Sequence, residues 1–290
     1  MWHRTKDYLL VLPALVLTGV LFFGGLIDGL FKSFGYFPAV GTTTFSLQAY
    51  QDVVMSPLFR DSLVLTIRVA ILSTISATIL GVGAALALYF MARRTSARWL
   101  LRLFQLPLTI PHLAAGYFMI LLLSQSGLLA RFAYAFGWID APSEFPVAVN
   151  DRFGLGMILT YSWKEAPFIA LLVYPVLARI HDNWLDAAKV YGATTTHYIW
   201  HVLLPAIRPA VITASLIVFI YTLSSFEVPY LLGVTYPSTL PVYAFQLYTS
   251  GSFADRSEAL VIMWLLTTAA LVVGLVAYRF YRKSYERGWE

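Results

Sequence analysis

Asp186-Ala-Ala-Lys-Val-Tyr-Gly-Ala-Thr-Thr-Thr-His-Tyr-Ile-Trp-His-Val-Leu-Leu-Pro205 is a polar, helix-compatible stretch set between two long apolar runs. Ala188 and Gly192 are four apart, so on a helix they share one face, and their small side chains would let another surface come close to the backbone. Glycine inside a helix costs about 1 kcal/mol against alanine, so Gly192 signals either close contact or a bend. The hydroxyls of Thr194, Thr195 and Thr196 can cap a second short helix beginning near His197, and Pro205 is expected to stop it. The expected product is helix, turn, helix, lying outside the apolar layer. The plainer reading is an ordinary amphipathic loop between spans.

The chain around it is 290 residues long, 59% hydrophobic and only 12% charged. A soluble domain carries about a quarter charged residues, so this is an integral membrane protein. Cysteine is absent, which excludes disulfides and thiolate metal sites. The net charge of +5 does not suggest nucleic acid, because in a membrane protein the position of each cation matters more than the total. A crossing helix needs about 20 mostly apolar residues. Six stretches qualify: Tyr8 to Leu30, Ser62 to Met91, Leu101 to Ser124, Gly154 to Ile180, Ala206 to Leu232 and Ala259 to Tyr281. The first follows Arg4 and Lys6 like a signal peptide, but its apolar run is long and no small-residue cleavage site closes it, so it reads as a retained helix.

With a cytoplasmic N-terminus, thirteen Lys and Arg residues fall on inner segments, among them Arg93, Arg94, Arg98, Arg102, Arg282 and Lys283, against five on outer segments. That bias places both termini and the Asp186 loop in the cytoplasm. The outer loop from Gln125 to Phe153 carries Gly, Pro and aromatics, and is expected to form a short surface structure where a soluble partner lands. The natural division is a first helix and loop, residues 1–60, then a five-helix core over 61–281 with the coupling loop at 181–205, then a tail at 282–290.

Setting aside charges at span ends such as Asp28 and Arg208, four ionisable side chains fall inside the predicted spans: Arg68, Lys164, Glu165 and Glu227. Each costs about 2.5 to 3.5 kcal/mol at a helix centre, so they should face a cavity or one another. Pro167 follows Lys164 and Glu165, and Pro229 follows Glu227, a repeated pattern that points to broken helices lining a pathway. Lys164, Glu165, Tyr221, Ser224 and Glu227 are therefore the translocation-path candidates. Arg68, near the outer end of its span, is expected to snorkel. Pro107, Pro111 and His112 make the third span irregular, and a lone His beside a proline is expected to hydrogen-bond within the bundle rather than bind metal. Gly81 and Gly83, followed by alanines, offer a close-packing surface. There is no GxxxxGK[ST] phosphate loop and no nucleophile triad, so neither ATP binding nor catalysis is expected in this chain.

The order Asp186, Ala187, Ala188, Gly192, Val202, Leu204, Pro205 resembles the EAA motif of permease subunits of type I ATP-binding-cassette (ABC) importers, with Asp for the usual Glu and Val202 for the usual Ile. The resemblance covers nearly the whole chain. It implies an all-α integral membrane fold with six transmembrane helices, a MetI-like core of five plus an N-terminal helix. It also implies a non-catalytic subunit of the bacterial inner membrane, working with an ABC ATPase dimer that binds ATP and Mg, an extracytoplasmic solute-binding protein and a second permease, a heterodimer being expected. Asp186, Ala187, Ala188, Gly192, Leu204 and Pro205 would then couple to the ATPase. The segment Phe226–Tyr248 resembles the permeases for spermidine and putrescine, phosphonates and iron more than the sugar group, so a polyamine-like or other small organic solute is expected, with sugar import the alternative. A six-helix secondary transporter or channel acting alone would explain the buried charges but leave the Asp186 stretch without a purpose.

Overall fold

The computed structural model describes residues 2–92, 98–180 and 183–287. Arg93 and Arg94, two of the inner cations, His181 and Asp182 at the start of the coupling loop, and the final three residues of the tail lie outside the described residues. In chain order the helices are α1 Trp2–Ser33, α2 Gln48–Met55, α3 Pro57–Ala92, α4 Arg98–Thr109, α5 His112–Leu123, α6 Leu128–Ala135, α7 Leu155–Leu177, α8 Asn183–Val190, α9 Thr195–Tyr198, α10 Leu204–Ser224, α11 Glu227–Leu232, α12 Leu240–Thr249 and α13 Phe253–Arg287, and a π-helical segment, Ile199–Leu203, joins α9 to α10. The fold is all-α, with no named strand among the described residues.

Among the described residues, five helical stretches are long and apolar enough to cross a bilayer: Leu10–Ser33, Pro57–Met91, His112–Ala135, Thr195–Ser224 and Phe253–Arg279. The expected fourth span, α7, has the length, 23 residues, but its middle reads Thr-Tyr-Ser-Trp-Lys-Glu and is largely buried within the chain. Burial by protein removes the need for an apolar surface, because only lipid-facing positions must be apolar.

The third span is irregular as expected: Pro111 has no N–H and its neighbour cannot stay helical, so the chain breaks between α4 and α5. Three expectations are corrected. The third apolar stretch begins at His112 rather than Leu101. The fourth is not broken at Pro167, since α7 runs through both Pro167 and Pro175, one lost bond being offset by packing around buried Ala166, Ile169 and Ala170. The fifth is broken, but at Ser225–Phe226, between α10 and α11, rather than at Pro229.

The chain divides into two compact units, Met1–Arg60 with Tyr243–Thr268, and Asp61–Val242 with Ala269–Glu290. In the first, Ser33 shares a hydrogen bond with the Tyr50 hydroxyl at 2.9 Å, the Tyr36 and Phe45 rings stack 5.0 Å apart, and Asp28 pairs with Lys32 one turn on. The second holds two apolar cores. One joins Ala77 and Ala85 of α3, Ile169, Ala170 and Val173 of α7, Leu185 of α8, Tyr198, and Ile207 and Ala214 of α10. The other joins Leu65, Met119, Met157, Tyr161, Val228 and Leu232. Gly81 lets α3 approach α7: a Cβ there would lie 2.6 Å from the Ala166 carbonyl oxygen and 2.8 Å from the Ile169 Cβ. Gly83 has nothing within 4 Å, so only the first of the pair serves packing within the chain.

Candidate functional site

Asp151 starts the site by fixing the first turn of α7. Its Oδ2 accepts the N–H groups of Phe153, Gly154 and Leu155 at 3.1, 2.8 and 3.0 Å, satisfying donors that a helix start leaves free. Arg68 packs against the same turn, its guanidinium 5.3 Å from the centre of the Phe153 ring and its Nη1 donating to the Arg152 carbonyl at 3.5 Å.

Two turns further along α7, Lys164 and Glu165 hold the two sides of the α4/α5 break. Lys164, 2% exposed, donates from Nζ to the carbonyls of Pro107 at 2.9 Å and Ile110 at 2.6 Å. Pro111 cannot bond back to the Pro107 carbonyl as a helical residue would, and the ammonium takes that place. Glu165 Oε1 accepts from His112 Nε2, in the first residue of α5, at 3.0 Å. His112 thus has the hydrogen-bonding role expected of it.

The α10/α11 break meets the same helix. The Tyr161 hydroxyl of α7 donates to Ser225 Oγ at 2.7 Å, and Ser225 donates to the Glu227 carboxylate at 3.5 Å. Tyr221 lies between the two breaks, with ring centroids 4.8 Å from His112 and 6.4 Å from Tyr161. Below this level Ser162 shares a short hydrogen bond with Ser76, and Thr78 shares one with Ser215 at 2.8 Å. The unbroken α7 is therefore a strut, with a broken helix held on each side by polar contacts, the charge-assisted bonds at Lys164 and Glu165 being the stronger ones.

Of the path candidates, the structure brings Glu165, Tyr221 and Glu227 into one cluster. Lys164 is turned to the α4 carbonyls instead. Ser224 is exposed, and its hydroxyl donates back to the Ile220 carbonyl at 2.9 Å. Tyr161, Ser225 and Asp151 were not among the candidates. Tyr161 and Ser225 neighbour chosen residues but carry no charge to flag them, and Asp151 reads only as a loop acid.

The coupling loop is built differently. Helix α8 docks through buried Leu185 and half-buried Ala188, which packs on the chain's own core. Gly192 is not helical and shares no face with Ala188. It sits just past the end of α8 at φ +77°, with its N–H on the Lys189 carbonyl at 2.9 Å and that of Ala193 on the Ala188 carbonyl at 2.9 Å. This is a Schellman closure, in which glycine takes the left-handed position. A Cβ at Gly192 would meet nothing within 4 Å, so the turn, rather than close approach, explains the residue here. Thr194 caps α9 as expected, its Oγ1 accepting the His197 N–H at 3.2 Å. Pro205 does not stop that helix. The π-turn Ile199–Leu203 widens the helix just before it, and the run continues from Thr195 to Ser224, so the missing donor and the ring are accommodated without a stop.

The loop shows large apolar side chains to solvent among its polar ones: Val190 is 84% and Tyr191 91% exposed, with Trp184 also outward. Asp186 and Ala187 are exposed beside them. Leu204 and Pro205 line an open groove of about 350 Å³ together with Trp200 and Arg208.

Broken helices held on a polar strut, with an apolar-tipped loop projecting beyond the bundle, define a membrane permease subunit. The chain belongs to the family described as binding-protein-dependent transport system inner membrane component, whose sequence profile matches residues 77–287. It is 28% identical over 253 residues to the inner membrane ABC transporter permease protein YnjC of Escherichia coli, covering 83% of this chain and 46% of that one, so the chain spans about half of YnjC. It is 27% identical to YdcU of the same organism, covering 80% of this chain and 77% of YdcU. The glucose import system permease protein GlcT of Saccharolobus solfataricus is 22% identical, covering 91% of this chain and 93% of that protein. Among solved structures, a chain of a bacterial alginate ABC transporter in complex with an alginate pentasaccharide-bound periplasmic protein superposes with a TM-score of 0.82 at 19% identity, covering 98% of this chain and 97% of that one. The methionine transporter MetNI gives 0.58 at 18% identity, over 79% of this chain and 99% of that one. These likenesses carry the fold.

Proposed function

We propose that this chain forms one half of the translocation path of an ABC importer, fed by an extracytoplasmic solute-binding protein and driven by two cytosolic ATPases that hold the ATP and Mg. In this reading it lies in a bacterial inner membrane with both termini cytoplasmic and pairs with a sister permease. The α8 loop docks on the ATPase through Ala187, Val190 and Tyr191, with Asp186 at its edge. Gly192 sets the exit from the docking helix, and Leu204-Pro205 set the angle of the following span. ATPase closure then shifts the loop, and the helix breaks beside α7 absorb the movement as the path alternates between its two openings.

The solute reading rests on one observation. Glu227 is an exposed carboxylate at the α10/α11 break, with Tyr221 in the last turns before the break and Tyr230 one turn after it, and among the described residues no basic side chain forms an ion pair with it. A carboxylate flanked by aromatic rings suits a small organic cation of the polyamine kind, by charge and by cation–π contact. Sugar import is the second reading, favoured by the likeness to the glucose permease GlcT and to the trehalose/maltose permease MalF of Thermococcus litoralis and by the use of aromatic faces for sugar rings. The test is a mild-detergent pull-down from the native membrane, with mass spectrometry of the associated proteins and of the binding protein's ligand. An ATPase, a second permease and a polyamine-loaded binding protein support the reading. A sugar-loaded binding protein replaces the solute class, and a chain that emerges alone and still transports after reconstitution replaces the importer itself.

A further inference from the structure

The segment Leu128–Trp138, which follows α5, shows an unusual surface for a loop. Ala130 and Ala133 of α6 are buried, yet Phe132, Tyr134, Phe136 and Trp138 face outward, the last two 67% and 78% exposed. The Phe136 and Trp138 rings stack on each other 5.5 Å apart. Arg131 is the sole charged residue of the segment, and its Nε donates to the Ser126 carbonyl at 3.1 Å. The segment's direction is fixed as well. Gln125 Nε2 donates to the carbonyls of Ser143 and Phe145 at 2.9 and 3.0 Å, and Gly127 makes the tight turn from α5, its N–H on the Ser124 carbonyl at 2.8 Å.

An aqueous loop with this face would expose a contiguous aromatic and aliphatic patch to water, which marks an interaction surface. Between α5 and α6 stand only the uncharged Ser124–Gly127, and Arg131 is the one charge of His112–Ala135, which is long and apolar enough to be membrane-compatible despite the turn. Trp and Tyr with an adjacent Arg are the residues that settle at the headgroup level of a bilayer, and a short amphipathic helix with such a face lies in the interface plane. The segment follows the end of α5, whose Met119 and Leu123 share a core with Met157 and Ile158 in the first turns of α7, and the coupling loop follows the other end of α7, about 35 Å away along 23 residues at 1.5 Å each,. We propose that α6 and the Phe136–Trp138 tip form an interfacial anchor, inserted among the lipid headgroups and upper acyl chains of the leaflet opposite the coupling loop. The anchor holds the end of α5 in the membrane plane, so that motion at the α4/α5 break is taken up at the break rather than by drift of the whole helix. The occupant of this face is lipid, not a soluble protein.

Because the chain contains no cysteine, a single introduced cysteine places a spin label at one site. Phe132→Cys and Phe136→Cys are labelled in the complex with its partner subunits in phospholipid vesicles, with Leu129→Cys as a second α6 position and Asp140→Cys as the aqueous reference. Collision with oxygen, which concentrates in the bilayer, is compared with collision with a water-soluble nickel chelate. The proposal predicts an oxygen-to-nickel accessibility ratio several-fold higher at 129, 132 and 136 than at 140, unchanged by added binding protein. It is overturned by nickel accessibility like that at 140, by inaccessibility to both reagents, which means a protein subunit covers the face, or by nickel accessibility lost on adding binding protein, which makes the face a docking surface.

Discussion

The polar strut of α7 and the α8 coupling loop both sit where the chain leaves regular membrane helix, yet their polar groups are satisfied in opposite ways. In the loop the partners are near in sequence: Gly192 bonds to Lys189, Ala193 to Ala188, and the His197 N–H to Thr194. At α7 they are distant, with Lys164 reaching 57 residues to Pro107, Glu165 reaching 53 to His112 and Tyr161 reaching 64 to Ser225. A locally closed loop keeps its shape wherever its helix moves, and it leaves its apolar tip free for a partner. A strut of distant bonds exists only while three helices hold their positions. The loop is thus suited to transmit a push, and the strut to register one.

The contrast is broken most severely by Lys164→Met. Removing the ammonium leaves the Ile110 carbonyl without its side-chain donor and the Pro107 carbonyl with only the long bond from the Ile110 N–H at 3.3 Å, a loss of about 1 to 3 kcal/mol. A thermal melt of the purified complex should show a clear drop, and an unchanged melting temperature would mean that α7 does not hold the α4/α5 break. Gly81→Val is next. Its Cβ would press on the Ala166 carbonyl at 2.6 Å, an overpacking worth about 1 to 3 kcal/mol, measured by the same melt, whereas Gly83→Val should be near neutral in the isolated chain.

Gly192→Val sharpens the loop side. A β-branched residue at φ +77° costs about 1 to 2 kcal/mol, and the cost should stay local. Hydrogen exchange at the Gly192 and Ala193 amides should quicken while α7 is unaffected; equal quickening in α7 would tie the two regions together mechanically. The smallest effect on stability belongs to Tyr191→Ser, because a side chain 91% exposed supports nothing within the chain. Its melt should match the parent while retention of the ATPase on a column falls, and full retention would remove Tyr191 from the docking surface.

How far the sequence could be read follows the same division. Thr194 as a cap, the Gly81 contact, the break near Pro111 and the inward turn of Lys164 and Glu165 were legible because each depends on one residue's backbone chemistry or on the cost of charge in lipid, whereas Glu227 is exposed. Gly192 was misplaced on a helix face, since a glycine four residues after an alanine fits both a packing stripe and a helix terminator, and only φ separates them. Pro205 was read as a stop because nothing in the letters announces a π-turn. The charge-then-proline pattern chose α7 as a broken helix, whereas the breaks fell in its neighbours, and α7 supplies the charges that hold them. Ser225 in place of Ser224, and Tyr161 at all, depended on which side of α10 and α7 faced which, a matter of tertiary geometry.

The most direct test of the account is solute uptake and binding-protein-stimulated ATP hydrolysis by the reconstituted complex carrying Glu227→Gln. The account predicts an assembled complex with parental basal hydrolysis and normal ATPase retention, but with uptake reduced by tenfold or more, since about 1.4 kcal/mol of lost solute or path stabilisation corresponds to that factor. Uptake equal to the parent, with the ATPase and binding protein both engaged, would contradict it and move the translocation path away from α7 and its two broken neighbours.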